Sequence, residues 1–166
     1  MLQTERLLLR NLRAQDAETL FNYRNDPRCN RFQRYEDTGE AYLRQFVRTF
    51  ARCTFPSREA EQHYAVEHRE SGEMIGDLSV FFSGEDRCYT LGLTVAPPFQ
   101  HQGCGYELLS AVVARLRRAE PAMDIVALID RDNQNSLGLF RKLGFTEECW
   151  AESIRSYVYT LYGTQS

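Results

Sequence analysis

The hydrophobic pattern changes its period after residue 95, and this change constrains the fold more than any other feature. Between residues 63 and 95, apolar and polar side chains alternate in three stretches, HYAVEH, MIGDLSVFF and CYTLGLTV. The turn sequences ESGE and SGEDR separate these stretches. Two-residue alternation interrupted by glycine-containing turns predicts an antiparallel meander of three strands.

A helical period follows the meander. The buried face of this predicted helix consists of Leu108, Leu109, Val112, Val113 and Leu116. The helix ends near Pro121, and DIVALI then reads as a buried strand. A second helix over SLGLF stops at Gly144, which is placed as a C′ glycine. This half of the chain therefore predicts a strand–helix–strand crossover.

The two ends of the chain complete the pattern. RLLLRNL (residues 6–12) predicts a first strand, and two helices capped by Asp16 and Thr38 follow it. FTEECW and SIRSYVYTLY predict two closing strands. The order predicts a mixed α/β (α+β) fold with one mostly antiparallel, twisted sheet of about seven strands and flanking helices.

Composition narrows the class of protein. A length of 166 residues suggests a single domain spanning 1–166, and a net charge of −3 gives no electrostatic basis for nucleic-acid binding. Five scattered cysteines lack the spacing of a metal site or a disulfide framework, which favours reduced thiols in the cytoplasm. MLQTERLLLR is too charged for a signal peptide, and no apolar run approaches the roughly 20 residues of a membrane span.

The stretch FQHQGCGYELL joins the third meander strand to the long helix. Free amides and the helix dipole at such a junction attract anions, and glycines let phosphate oxygens approach the backbone. A Walker loop is excluded because no Gly-Lys-Ser/Thr is present, and a dinucleotide fingerprint is excluded because its third glycine would fall at Leu108. The residues leave two readings open: a phosphate loop or an ordinary glycine turn before a helix.

The chain resembles the GNAT N-acetyltransferase superfamily in three motifs that occur in the right order. Gln100, Gly103 and Gly105 match its Gln/Arg-x-x-Gly-x-Gly/Ala signature, and LTVAPPFQ resembles its lead-in. The downstream segment NQNSLGLFRKLGF matches the family ending through Asn133, Ser136, Lys142, Gly144 and Phe145. The opening TERLLLRNLRAQDAETL resembles the branch typified by ribosomal-protein N-terminal (alanine/serine) acetyltransferases.

This resemblance implies acetyl-CoA as cosubstrate, no metal, and a GNAT-like sheet with a splayed CoA-binding strand pair. Backbone groups of Leu93, Thr94 and Val95 would contact the pantetheine arm and the thioester, and loop amides from Gln102 to Tyr106 would hold the pyrophosphate. The implied cofactor-binding set is Leu93, Thr94, Val95, Gln100, His101, Gln102, Gly103, Cys104, Gly105, Tyr106, Asn133 and Ser136. Within it, His101 favours the CoA phosphates or has no role.

The resemblance also implies catalytic residues, with alternatives beside them. Many relatives carry a tyrosine where this chain has Phe140, so Ser136 becomes the donor to the leaving thiolate, or else a helix-start cap. Asp130 is the expected base or substrate contact, or else a turn cap, and a base acting through water is a third reading. Cys104 fills a variable motif position and is not expected to be a nucleophile.

The implied activity is transfer of an acetyl group to a primary amine by direct attack in a ternary complex. The acceptor is a protein N-terminus or a small amine, and the protein is a monomer or a homodimer without nucleic-acid or membrane partners. The competing class is a CoA-binding sensor or interaction module that has lost catalysis, which Phe140 favours. The acidic segment YEDTGE fits a cationic acceptor or a solvated turn.

Overall fold

The computed structural model describes residues 1–164 as one eight-stranded sheet with five α-helices. The strands are β1 (Leu2–Gln3), β2 (Leu7–Arg10), β3 (Glu61–His68), β4 (Met74–Ser83), β5 (Cys88–Val95), β6 (Asp124–Ile129), β7 (Thr146–Ala151) and β8 (Ser156–Leu161). The helices are α1 (Asp16–Arg24), α2 (Pro27–Asn30), α3 (Glu40–Thr49), α4 (Cys104–Ala119) and α5 (Gln134–Lys142). Short 3₁₀ helices span Pro97–Phe99 and Glu152–Ile154.

The sheet confirms the predicted architecture. Its strand order is β1-β2-β3-β4-β5-β6-β8-β7, and every neighbouring pair is antiparallel except β5 and β6. The meander β3–β5 and the crossover β5–α4–β6 lie where the change of period placed them. Strands β5 and β6 begin and end at the predicted residues, because each is bounded by turn residues that interrupt the alternation.

Two layers of helices cover the two faces of the sheet. Helices α4 and α5 pack on one face, over a core that includes Leu78, Leu91 and Ile125. Helices α1 to α3 pack on the opposite face, over a second core that includes Ala65 and Met74. Because cross-strand partners point to the same side of a sheet, the register assigns each further side chain to one of these two faces.

Strands β5 and β6 separate along their length. Their parallel pairing covers only Cys88 to Thr90 on β5 and Asp124 to Val126 on β6. From Leu91 to Val95, β5 pairs with β4 but has no strand partner on its other side within residues 1–164. The two strands therefore form the splayed pair that the family resemblance implied.

Two local predictions are wrong. Asp16 does not cap α1: the N-cap is Gln15, and the buried Asp16 carboxylate accepts a hydrogen bond from Arg10 Nη1 at 2.7 Å. Thr38 does not cap α3: the N-cap is Gly39, and the Thr38 hydroxyl donates to Asn25 Oδ1 at 2.8 Å. In each case a contact with a residue before the helix, six positions away for Asp16 and 13 for Thr38, takes the side chain that a local cap would use.

The prediction also missed two very short elements. Strand β1 has two residues and α2 has four, so neither is long enough to display a hydrophobic period. The eighth strand is therefore an addition to the predicted architecture rather than a change of it. Within residues 1–164, no helix combines the length and the apolar character needed to cross a bilayer.

Candidate functional site

The loop before α4 presents a row of free backbone donors. The N–H groups of residues 101 to 106 have no hydrogen-bond acceptor within residues 1–164, and the first amide bonded back to the loop is that of Glu107, at 3.0 Å from Gly103 O. Helix α4 is 16 residues long, so its dipole adds positive potential at this end. Free amides and dipole together make an anion site on this part of the backbone.

The first glycine of the loop has a conformational reason. Gly103 is the N-cap of α4 and has φ 80° and ψ 0°, which is the left-handed region. A side chain is strained there by about 1–2 kcal/mol, so glycine is the residue that fits. His101 also has a positive φ, of 60°, and it is exposed.

The second glycine of the loop has a packing reason. A Cβ atom on Gly105 would lie 3.3 Å from Leu139 Cδ2 and 3.5 Å from Leu93 Cδ2. The missing side chain lets α4, α5 and β5 approach one another closely. Gly103 thus shapes the loop, whereas Gly105 brings the three elements of the site together.

A charged residue that the sequence analysis missed lies beside the loop. Arg6 Nε is 2.6 Å from Glu107 Oε2, Arg6 Nη1 donates to Gln102 O at 3.0 Å, and Thr4 Oγ1 donates to Glu107 Oε1 at 2.6 Å. Burial opposes the charge of Glu107, but these hydrogen bonds lower its pKa below the ordinary value. The pair links the residue before β2 to the first turn of α4 across 101 positions, a contact that no local pattern indicates.

The side chains of the two loop glutamines donate hydrogen bonds to backbone carbonyls. Gln100 Nε2 donates to Val95 O at 2.8 Å, and Gln102 Nε2 donates to Pro98 O at 2.7 Å. Each bond ties the loop to the end of β5 or to the 3₁₀ turn that follows. The two side chains fix the loop geometry. The backbone N–H of Gln102 remains among the free donors.

The predicted residues of β5 lie in the open part of the strand. Leu93 packs partly against the core under α4 and α5, while Thr94 is buried on the opposite face. The Val95 carbonyl is taken by Gln100 and by the Cys29 thiol, whose Sγ lies 3.5 Å away. Burial raises the pKa of that thiol to about 11.

Helix α5 begins at the same edge of the sheet, because β5 and β6 run parallel. Asn133 is its N-cap, and Asn133 Oδ1 accepts from Ser136 N at 3.2 Å. The Ser136 hydroxyl itself makes no hydrogen bond within residues 1–164 and is half-buried. Asp130 Oδ1 accepts from Asp132 N at 2.9 Å, so its carboxylate closes the turn before α5.

The remaining candidates fall on both sides of the loop. Cys104 is buried in the core beneath α4. Tyr106 is 39% exposed, and Lys142 Nζ lies 4.2 Å from the centre of its ring. Phe140 is buried and meets Phe145 edge to face, with ring centres 5.0 Å apart. Phe140 is therefore a packing residue of α5.

Known proteins share this sequence pattern and this fold. The profile of the acetyltransferase (GNAT) domain matches residues 6–146, which include the free-amide loop and the splayed strands. The chain belongs to the GNAT acetyltransferase family. A curated relative is the uncharacterized N-acetyltransferase YoaA of Bacillus subtilis, 28% identical over 163 residues, which covers 96% of this chain and 88% of YoaA.

Solved GNAT structures share the fold. A candidate ribosomal-protein-serine acetyltransferase from Vibrio cholerae aligns with TM-score 0.79 at 22% identity, over 97% of this chain and 96% of its own. The microcin C7 self-immunity acetyltransferase MccE, solved with acetyl-CoA and AMP, aligns with TM-score 0.78 at 15% identity, over 95% and 93%. At these identities the likeness establishes the fold of this GNAT N-acetyltransferase and leaves its acceptor to chemical argument.

Proposed function

We propose that this GNAT protein transfers the acetyl group of acetyl-CoA to a primary amine by direct attack in a ternary complex. The observation that carries the proposal is the row of six unpaired amides, residues 101 to 106, next to the open stretch of β5. The residues present fit the cosubstrate. Free N–H groups suit a pyrophosphate, and an unpaired strand edge suits the amide-rich pantetheine arm.

The proposed binding site uses the backbone more than side chains. Amides from Gln102 to Tyr106 hold the pyrophosphate, and the edge from Leu93 to Val95 holds the pantetheine arm and the thioester. Gln100 and Asn133 keep the loop and the start of α5 in place. The charge of Arg6 adds little, because its salt bridge with Glu107 compensates it.

In the reaction, the nitrogen of a neutral amine forms a bond to the thioester carbonyl carbon, and the carbon–sulfur bond then breaks. The amine loses one proton and the departing CoA thiolate gains one. We assign thiolate protonation to Ser136, whose hydroxyl has no partner within residues 1–164. Asp130 is assigned to the proton path of the amine, although its bond to Asp132 N also serves the turn.

The acceptor is a protein or peptide N-terminus or a small amine. The first class is supported by the opening TERLLLRNLRAQDAETL and by the fold shared with the Vibrio cholerae candidate ribosomal-protein-serine acetyltransferase. We place the enzyme in the cytoplasm as a monomer or a homodimer, in line with its scattered thiols.

The second candidate is a sensor that binds CoA without catalysis. The buried packing of Phe140 favours it, because the phenol that many relatives use is absent. The two candidates differ in one respect: both bind acetyl-CoA, but only an enzyme speeds thiol release when an amine is added.

The test has a binding arm and a turnover arm. Acetyl-CoA at a hundred times its dissociation constant should stabilise the native protein by about 2.7 kcal/mol in thermal melts. Thiol release is then followed over peptides beginning with serine or alanine, amino acids, polyamines and aminoglycosides. Ser136→Ala should lower kcat while leaving the acetyl-CoA melt shift intact, and Asp130→Asn should alter how turnover rises with pH.

The outcomes separate the readings. An unchanged melt excludes acetyl-CoA binding and overturns the proposal. A melt shift without any amine-dependent release establishes the sensor. If Phe140→Tyr then produces amine-dependent thiol release, the absence of the phenol explains the lost catalysis. Native turnover that survives Ser136→Ala makes Ser136 a cap alone.

A further inference from the structure

A buried ionic cluster lies under α1, on the face of the sheet away from α4 and α5. Arg24 Nη2 donates to Asp77 Oδ2 at 2.8 Å, and both side chains are at most 5% exposed. The Tyr23 hydroxyl donates to the other carboxylate oxygen, Oδ1. Burying an ion pair costs free energy that its attraction does not reliably recover, so such a cluster calls for a reason beyond stability.

The cluster holds an aromatic side chain from an irregular loop. The guanidinium carbon of Arg24 lies 4.6 Å from the ring centre of Tyr35 and 4.6 Å from that of Phe46. Arg24 Nε is buried and has no hydrogen-bond partner within residues 1–164, so the guanidinium is fixed by the two rings and by Asp77. Tyr35 belongs to the segment between α2 and α3, and its ring packs against the guanidinium of Arg24.

Tyr35 also contacts the part of β5 that has no β6 partner. Its hydroxyl oxygen lies 3.1 Å from Thr94 Oγ1, and Thr94 is the cross-strand partner of Asp77. Thr94 lies in the part of β5 that has lost its β6 neighbour. Burial raises the pKa of Tyr35, so its phenol keeps its proton at neutral pH and can donate to Thr94.

Helices α1 to α3 cover this face over β3 and β4, but β6 on the far side of the splay is exposed. Ala127 and Ile129 of β6 point into the core under α4 and α5, so Leu128 points to the Tyr35 side, where it is 47% exposed. The exposed part of β6 leaves this side of the splayed strands accessible, whereas α4 and α5 cover the other face.

We propose that Tyr35 binds the acceptor amine: its phenolic oxygen accepts a hydrogen bond from the amine N–H, and its hydroxyl donates a hydrogen bond to Thr94 Oγ1. This inference rests on the proposed acetyl transfer. The contact turns the nitrogen lone pair toward the thioester in the splay and leaves it free to attack. Arg24 and Asp77 are positioning residues, because they act on the amine only through the ring of Tyr35.

The geometry offers a sharp set of variants. Tyr35→Phe removes only the hydroxyl and keeps the ring that stacks on Arg24. Tyr42→Phe on α3 is its matched control, because that hydroxyl donates to Glu36 Oε2 at 3.4 Å and not to a residue of β5. Thr94→Val removes the second hydroxyl at nearly constant shape, and Thr94→Ser restores it.

Each variant is assayed for acetyl-CoA stabilisation and for turnover of the best amine from the panel of serine or alanine peptides, amino acids, polyamines and aminoglycosides. We expect Tyr35→Phe to lower kcat/KM for the amine about tenfold, mainly through KM, with an unchanged acetyl-CoA melt shift. Thr94→Val should follow it and Thr94→Ser should recover most of the loss, while Tyr42→Phe should behave as the native protein.

A native KM for the amine in Tyr35→Phe overturns the inference alone, whatever its melting temperature, since a structural role would change only stability. If the native protein turns over no amine in the panel, the proposed catalysis fails first and this inference falls with it.

Discussion

Single residues in this protein differ in how much of their role is local. Gly103 is required by a backbone angle of its own loop, and Gly105 by neighbours from two other elements. Gly138, inside α5, has nothing within 4 Å of where a Cβ atom would lie. The three glycines therefore respond differently to the same substitution.

Gly103→Ala should lower the free energy of unfolding by about 1–2 kcal/mol, because alanine is strained at φ 80°. The same change distorts the amide row, so acetyl-CoA should bind more weakly. Urea unfolding and a binding titration measure the two effects.

Gly138→Ala is the matched control. It should raise the free energy of unfolding by about 0.5–1 kcal/mol, because alanine is the better helix former and meets no neighbour. Acetyl-CoA affinity should stay native. Equal effects of the two substitutions would contradict the assigned roles.

At the scale of elements, helices are joined to the sheet by charged side chains as well as by apolar cores. Arg6, which directly precedes β2, pairs with Glu107 of α4, and Arg24 of α1 pairs with Asp77 of β4. The first pair is partly exposed, with side chains 40% and 20% accessible, whereas the second is buried. Burial decides how much stability the protein loses when one partner of a pair is removed.

Arg24→Met should destabilise the protein by about 3–5 kcal/mol, because it leaves the Asp77 carboxylate buried without its cation. Adding Asp77→Asn to it removes that charge and keeps an acceptor for Tyr23, so the double variant should lose less than the two single variants together. Urea unfolding of all four proteins gives the coupling energy.

The exposed pair of Arg44 and Glu40 on α3 is the comparison. Its side chains are 68% and 62% accessible, and removing it should cost about 0.3–0.5 kcal/mol. Additive losses in the Arg24 and Asp77 cycle would show that the buried pair is not a coupled unit.

For the whole molecule, we expect stability to depend on pH through a buried histidine. His63 lies among the rings of Phe46, Phe50 and Phe81, and burial lowers its pKa below the ordinary value of 6.5. Between its folded pKa and 6.5 the unfolded chain binds more protons than the native one, so stability rises with pH through this window and falls on acidification.

We expect urea midpoints of the native protein to decrease between pH 7.5 and pH 5.5, and His63→Phe to flatten this decrease. Phenylalanine suits the aromatic surroundings and has no proton to gain. The pH range stays above the titration of ordinary carboxylates. An unchanged slope in His63→Phe would assign the acid sensitivity to other groups.

The sequence by itself determined the elements whose causes are local. The alternation in residues 63–95, the glycines before α4 and the C′ glycine after α5 each act within a few residues, so the meander, the crossover and the amide loop are visible in the letters. The family resemblance added acetyl-CoA and the splayed strands, and the family match confirms the class of enzyme.

Only the tertiary structure decided which distant side chains meet. Arg6 meets Glu107 across 101 positions, Tyr35 meets Thr94 across 59, and Thr38 meets Asn25 across 13 instead of capping α3. Burial selects such contacts: a charge or hydroxyl taken from water must find a partner, and packing, not chain order, brings that partner within reach. The period of the sequence therefore fixes the strands and helices, and the packing of the two helix layers fixes the chemistry of the site.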